Sequence, residues 1–367
     1  MKNVFERMEE ENTAEKINAF IMKQKLPYEA KVAHAEIIAW EFKTKMESLG
    51  KNLHVSVGGL DSITLLIFLR SIGIDVPAIS CSSLEDKSIQ EVHKSLDIIR
   101  VSGEKSKIQI IREFGFPVLS KEIAAKIELW QNPTEKNRTV RHAIITGETG
   151  EYGGFQKNSR MKLPDKWLNL FCGYANDEEN VNYSTAPFKV SSKCCYYLKE
   201  KPADDWAKEH NSVPYLGLMA SEGGRREKAL KMHGCNYYGK TTTRSAPFAI
   251  FSRQDLLKLA LDLDVPVPEI YGEIKKNPVT GELYTTGAQR TGCSMCGFGI
   301  HIEKRPHRFD LLRERNEKEW DFYMNRCVTD ETGTYGWGRV LDYIGVEWRD
   351  RYVDWSSHQM SLFEVNS

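Results

Sequence analysis

The spacing of hydrophobic and polar positions changes period along the chain. From about Pro27 to Met46, Val32, Ile38 and Phe42 recur at helix-like intervals, and Trp40 falls in the same stretch. Asn12 and Thr13 are N-cap residue types, so residues 1–48 are expected to form an N-terminal helical segment capping the next domain. Leu53, Val55 and Val57 then alternate with polar residues, as in a strand with one buried face. A Gly pair breaks that strand, and the apolar run from Ile63 to Leu69 reads as a helix. Residues 76–81 are expected as a second strand, 88–99 as a helix, 214–219 as a later strand and 254–263 as a further helix. Strands alternating with helices imply a mostly parallel sheet covered on both faces, an α/β fold. Residues 131–213, with the acidic cluster from Asn176 to Asn180, are expected as helices and loops inserted between late strands. The pattern becomes irregular beyond 236, so the expected division is 1–48, 49–235 and 236–367.

Composition narrows the field. The chain of 367 residues is long enough for about two domains and is 41% apolar and 28% charged, an ordinary globular balance. Lys plus Arg number 51 and Asp plus Glu number 51, so no chain-wide charge draws it to nucleic acid or an anionic membrane. No apolar run approaches a membrane span, and the charged N-terminus is not a secretory signal, so a cytoplasmic protein with no membrane partner is expected. Eight cysteines are too few for a disulfide scaffold, which turns attention to metal or redox chemistry.

Two sets of residues carry candidate chemistry. The first is His54-Val55-Ser56-Val57-Gly58-Gly59-Leu60-Asp61-Ser62, between a strand and a helix. Gly58 and Gly59 let the backbone turn and approach a ligand, and the N–H groups at the helix start favour an anion such as phosphate. Ser62 can donate a hydroxyl, and Asp61 can cap the helix or hold Mg2+ beside a nucleotide. The bland alternative is a Gly-rich turn capped by Asp61. The second set is Cys194-Cys195, Cys235, and Cys293 with Cys296 in a Cys-x-x-Cys knuckle. Four thiolates suit Zn2+ or an iron–sulfur cluster. Five cysteines compete for the four places, with Cys235 the rival of Cys194. Cys81, at a strand end, is expected in the core.

Gly-Gly-Leu-Asp-Ser resembles the core of the pyrophosphate loop (PP-loop) of ATP pyrophosphatases and phosphoadenosine phosphosulfate (PAPS) reductases, usually written SGGxDS. Val57 stands where that motif has its first Ser, leaving Ser56 as the nearest hydroxyl. The segment from Ser82 to Asp86 resembles the family's stretch facing the nucleotide, which implies Ser83 and Glu85 as nucleotide-binding. Residues 217–226, GLMASEGGRR, resemble its G-x-R-x-x-E-S-x-x-R segment, with Met219 and Gly223 as departures and Glu222 and Arg226 as matches. Arg225 and Arg226 are the expected anion contacts, since guanidinium binds oxyanions in a fork.

Cys194-Cys195 followed by Lys199 and Pro202, with the distant Cys293 and Cys296, is similar to the cluster motif of adenylyl-sulfate reductases. That likeness implies a four-iron four-sulfur (4Fe–4S) cluster on Cys194, Cys195, Cys293 and Cys296. It covers roughly residues 50–310, and the stretch from Thr285 to Phe309 is similar to bacterial and phage PAPS reductase-like proteins and to the ATP pyrophosphatase of DNA phosphorothioation.

The resemblance implies a Rossmann-like adenine nucleotide α-hydrolase fold with a C-terminal iron–sulfur region. It implies ATP or PAPS as substrate, Mg2+, and a sulfur-donor or electron-donor protein. The nucleophilic E-C-G-x-H motif of sulfonucleotide reductases is missing, and Cys327, the last cysteine, lacks the neighbouring Gly and His. ATP cleavage with sulfur transfer, with Asp61, Ser62 and Arg226 as catalytic residues, is therefore expected ahead of sulfite release from PAPS. A non-catalytic nucleotide-binding module, for which Val57 argues, is the third reading. Lys304, Arg305 and Arg308, with Arg313 and Arg315 beyond them, are the candidate contact to a nucleic-acid acceptor. The interleaved Asp310 and Glu314 suit a solvated face equally. His301 and His307 are expected to be structural.

Overall fold

The computed structural model describes residues 4–81, 85–172, 175–176, 181–182 and 186–349. They form two units, each drawn from two stretches of chain: 1–104 with 198–294, and 105–197 with 295–367. This differs from the expected consecutive division. Residues 236–294 join the first unit because two of its strands pair there, while 105–197 belong to the second.

The first unit is α/β. Its strands are β1 (Asn52–Ser56), β2 (Ala78–Ser80), β3 (Ile99–Arg100), β4 (Ser212–Leu216), β5 (Asn236–Tyr238) and β6 (Thr243–Ser245). They lie in the order β3-β2-β1-β4-β6-β5. All neighbours are parallel except β5, which is antiparallel to β6. Order runs outward one way from β1 to β3 and the other way from β4, so the topological switch lies between β1 and β4. Val55 is in register with Ala78 on one side and Tyr215 on the other, and is fully buried.

Helices flank the sheet: α1 (Val4–Gln24), α2 (Tyr28–Ser48), α3 (Leu60–Ser71) and α4 (Lys87–Ser95). The buried stripe of α2 is Lys31, Ala35, Ala39, Phe42 and Met46, at three- and four-residue steps. Trp40 is exposed, so its expected place in the packed stripe is corrected. Small alanines face inward, which lets the Tyr215 hydroxyl reach the Ala39 carbonyl at 2.7 Å. Lys31 sits under cover, paired with Asp255 at 2.7 Å. Asn12 and Thr13 lie inside α1 rather than capping it. The expected helix 88–99 ends at Ser95, because Asp97 takes a left-handed φ of 56° and Ile99 enters β3.

The second unit is largely helical. Its helices include Lys107–Phe114, Lys121–Gln131, Arg138–Thr146, Asp165–Cys172, Arg308–Arg315, Glu317–Asn325 and Trp337–Ile344, with a hairpin of Val328–Asp330 and Gly333–Tyr335. Its core gathers Phe116, Phe171, Phe309 and Trp337. The ring of Trp337 packs edge-on to Phe116 at 5.0 Å. Among the described residues no helix is long and apolar enough to cross a membrane.

His54, on β1, is 1% exposed, and its Nδ1 is 2.7 Å from Ser212 Oγ on β4. Burial, aided by nearby His210, pushes its imidazole down from 6.5 to about 4. The unfolded chain takes up this proton near pH 6.5, so the neutral-His contribution is complete above that pH and is lost as pH falls toward 4. The expected loss is about 3 kcal/mol. Urea unfolding followed from pH 7 to pH 4 should show this fall in the native protein and a smaller one in His54→Asn; equal slopes refute it.

Candidate functional site

The loop that ends β1 and opens α3 is closed on itself by side chains. Ser62 Oγ accepts from the Gly58 N–H at 2.7 Å and donates to the Gly59 carbonyl at 2.9 Å. The Leu60 N–H donates to the Tyr271 hydroxyl at 3.1 Å, and that hydroxyl meets Thr291 Oγ1 at 2.6 Å. Donors at the helix start, which have no intrahelical partner, are thus held by neutral hydroxyls. The Leu60 side chain is fully buried in the core, so only its backbone faces the loop. Val57 is also buried, and its N–H donates to Ile79 O across the sheet at 2.8 Å. An apolar residue at 57 therefore serves the core. Ser56, half-buried at the end of β1, pairs in register with Ile79 and Leu216.

Two glycines hold this geometry by being small. A Cβ on Gly59 would lie 2.2 Å from the Tyr271 hydroxyl and 2.9 Å from Thr291 Oγ1. A Cβ on Gly217, which follows β4, would lie 2.9 Å from Ser62 Cα and 3.0 Å from the Asp61 carbonyl. At Gly58 the same atom meets nothing nearer than 3.8 Å, so that position keeps open space beside it.

Charges ring the start of α3. Asp61 Oδ1 accepts from Arg253 Nη1 at 2.6 Å, and Arg253 Nη2 donates to Gln289 O at 3.1 Å. Burial raises the Asp61 carboxyl above its usual range; Arg253 opposes the rise and Glu222 adds to it. Both Glu222 oxygens accept from Arg226 Nη1 at 2.7 Å, and Arg290 stands 4.0 Å away. Glu222 is thus within electrostatic reach of Asp61, and Arg226 is tied to Glu222. Ser83 lies outside the described residues, as does the side chain of Arg225.

A second cluster lies around Glu85, which is nearly buried. Lys199 Nζ donates to Glu85 Oε1 at 2.6 Å. Burial works against the Lys199 ammonium, but Cys293 and Glu85 outweigh it and raise its pKa. Cys81 Sγ is 3.8 Å from the Lys199 carbonyl, so this thiol adjoins the cluster rather than the core; burial pushes it up to about 11. Lys199 sits in a π-helical turn, Tyr196–Glu200, directly after Cys194 and Cys195. Such turns recur at functional sites. The Cys293–Cys296 segment bends at Met295, whose φ is 51°. Cys235 is in the sheet unit's core, its thiol pushed up to about 11 by burial, with Lys23, Arg244 and Glu41 as neighbours. These neighbours differ from Lys199, Glu85 and Cys81, the groups around Cys293. Among the described residues no three His, Cys, Asp or Glu side chains are gathered as a metal-holding group.

No model of a known protein family and no curated protein matches this chain.

Sequence reasoning missed Arg253, Tyr271, Thr291 and His93, whose Nε2 is 2.8 Å from the Gly58 carbonyl. They come from segments far from the loop in the chain, and nothing local to them marks the loop as their partner. Gly217 stood in the sequence as the first residue of the segment 217–226, and its position at a strand end agrees with close backbone approach. The basic run is spent internally: Arg305 pairs with Asp310, Arg308 with Glu303, and buried His307 caps the helix that follows.

Gly59→Ala should lose about 1–3 kcal/mol through overpacking against Tyr271. In the double variant with Tyr271→Phe the costs should fall short of their sum, measured as a coupling energy in denaturant unfolding. Strict additivity would show that Tyr271 does not rest on Gly59.

Proposed function

We propose that the sheet unit binds an adenine nucleotide at Gly58–Ser62 and that the protein is a PP-loop enzyme of the ATP pyrophosphatase and PAPS reductase kind. The finer fold reading, adenine nucleotide α-hydrolase-like, goes with it. One observation carries the proposal: the loop stands at the carboxyl end of β1, at the switch point beside β4, with the N-terminus of α3 behind it. Ser80 Oγ, at the end of β2, and His93 Nδ1 give further support. Both are buried without a hydrogen-bond partner among the described residues. Such groups cost about 1–3 kcal/mol each unless something meets them.

In this reading an acceptor attacks the α-phosphorus of ATP, the α–β bridge bond breaks, and pyrophosphate leaves with the bonding electrons. Ser62 turns its hydroxyl from Gly59 O to a phosphate oxygen, Asp61 would hold Mg2+, and Arg226 offers its fork to the anion. Sulfur from a donor protein then attacks the adenylated centre of the acceptor, and AMP leaves with the bonding electrons. A nucleic-acid acceptor is kept from the family likeness, because the basic run from Lys304 to Arg308 is largely ion-paired. The donor chemistry of Cys194, Cys195, Cys293 and Cys296 fits a 4Fe–4S cluster better than Zn2+, since adjacent cysteines strain a tetrahedral site, and Lys199 places a cation at Cys293. When bound, the cluster supplies electron or sulfur-handling chemistry.

Sulfite release from PAPS is the weaker reading. It needs Cys327 as nucleophile, yet Cys327 is fully buried and burial pushes its thiol up to about 12.

ATP with Mg2+ should yield AMP and pyrophosphate, and Cys327→Ala should do so at the native rate. ATP at a hundredfold excess over its Kd should stabilise the fold by about 2.7 kcal/mol. Anaerobically prepared protein should be brown, with about four irons per chain, and Cys293→Ser should lose the colour. Sulfite from PAPS with a thiol, lost in Cys327→Ala, would favour the reductase. Nucleotide binding without turnover would leave a binding module, and one zinc without iron would end the cluster assignment.

A further inference from the structure

The Asp61–Arg253 pair is built to come apart. Arg253 opens the helix Arg253–Asp262, which follows β6, and its guanidinium is held at two points, Asp61 Oδ1 at 2.6 Å and the Gln289 carbonyl at 3.1 Å. The carbonyl anchor keeps the guanidinium beside the loop when the carboxylate lets go. Neither side chain is fully covered; each is 26% exposed, so an incoming ligand can reach both. Arg290 lies on the same side, more than half exposed, 4.0 Å from a Glu222 already gripped by Arg226. Three guanidinium groups face two carboxylates here, and the start of α3 adds further positive potential.

We propose that Arg253 is a polyphosphate-binding residue held in reserve by Asp61, and that a divalent cation releases it by taking the Asp61 carboxylate. The inference rests on the nucleotide reading above and adds to it a residue with no place in the sequence motifs. Before binding, each charge neutralises the other. When a metal–nucleotide complex arrives, the cation replaces Arg253 at Asp61, and the guanidinium, still tethered at Gln289, turns its Nη1 to the β and γ phosphates with Arg290 beside it. Guanidinium suits this exchange because its fork fits phosphate as well as carboxylate. Metal and nucleotide then bind with positive coupling, each raising the other's affinity by the same factor.

Calorimetric titration of the full chain with ATP, with Mg2+ or with a chelator, tests this. In the native protein Mg2+ should tighten ATP. In Arg253→Gln, ATP at saturating Mg2+ should bind about tenfold more weakly, the loss of one charged hydrogen bond, while less Mg2+ should be needed for its half-maximal effect. Arg253→Lys should recover part of the affinity. Asp61→Asn should bind metal-free ATP more tightly than the native protein does, because its Arg253 is already released. A purely structural ion pair would weaken both ligands together in every variant. Unchanged ATP affinity in Arg253→Gln, or no gain for metal-free ATP in Asp61→Asn, overturns the exchange and leaves the nucleotide site standing. A native protein that binds no ATP removes both.

Discussion

The approach of β4 to the start of α3 is the constraint on which the candidate site depends. Gly217 leaves no room between the end of β4 and the backbone of Asp61 and Ser62. That contact fixes the loop at the point where the sheet order reverses, and it aims the first turn of α3 at the crevice beyond the strand ends. A side chain at 217 would have to push the loop away, and the hydrogen bonds of Ser62 to Gly58 and Gly59 would go with it. The charged ring follows from the same placement. Asp61 meets Arg253 because the helix carrying Arg253 follows the last strand of the same sheet, and Glu222 meets Arg226 four residues on, across the break at Gly223.

The loop is held ready by neutral groups. Ser62 and Tyr271 accept from the Gly58 and Leu60 amides, so these two donors are satisfied by weak partners that, in the proposed function, a charged phosphate would replace. A hydrogen bond to a charged group contributes about 1.5–3 kcal/mol against about 1 for a neutral pair, which gives the exchange its direction. Tyr271 also touches Thr291, two residues before Cys293. The loop and the Cys293 segment are thus joined through one tyrosine within one unit, and in the proposed function that contact would carry nucleotide occupancy to the segment. Lys199 ties in the other side, joining Glu85, near Gly58, to Cys293.

Much of the fold was legible in the chain itself. The alternation at Leu53, Val55 and Val57, the Gly pair and the apolar run from Ile63 to Leu69 define a strand, a tight turn and a helix by local rules alone, and the structure has β1, the loop and α3 there. The helix after Ser252 was equally plain, since the leucines of 254–263 are a local signal. A cysteine pair followed by Lys199 was visible as a motif, as were Glu222 and Arg226. These features need only neighbours in sequence, where backbone sterics and side-chain spacing act directly.

What tertiary structure alone decided is which distant groups meet. The sequence does not say that 236–294 returns to the sheet, because strand pairing is settled by hydrogen bonding between backbones far apart in the chain. It does not place Arg253 on Asp61, 192 residues away, or Tyr271 on Leu60, 211 residues away. It misplaced Trp40, since hydrophobicity alone cannot choose between two faces of a helix when small alanines make the closer packing. It also put Cys81 in the core, although the turn bearing Lys199 comes over it from the other half of the unit. Local chemistry wrote the loop; only the order of strands in the sheet determined what stands around it.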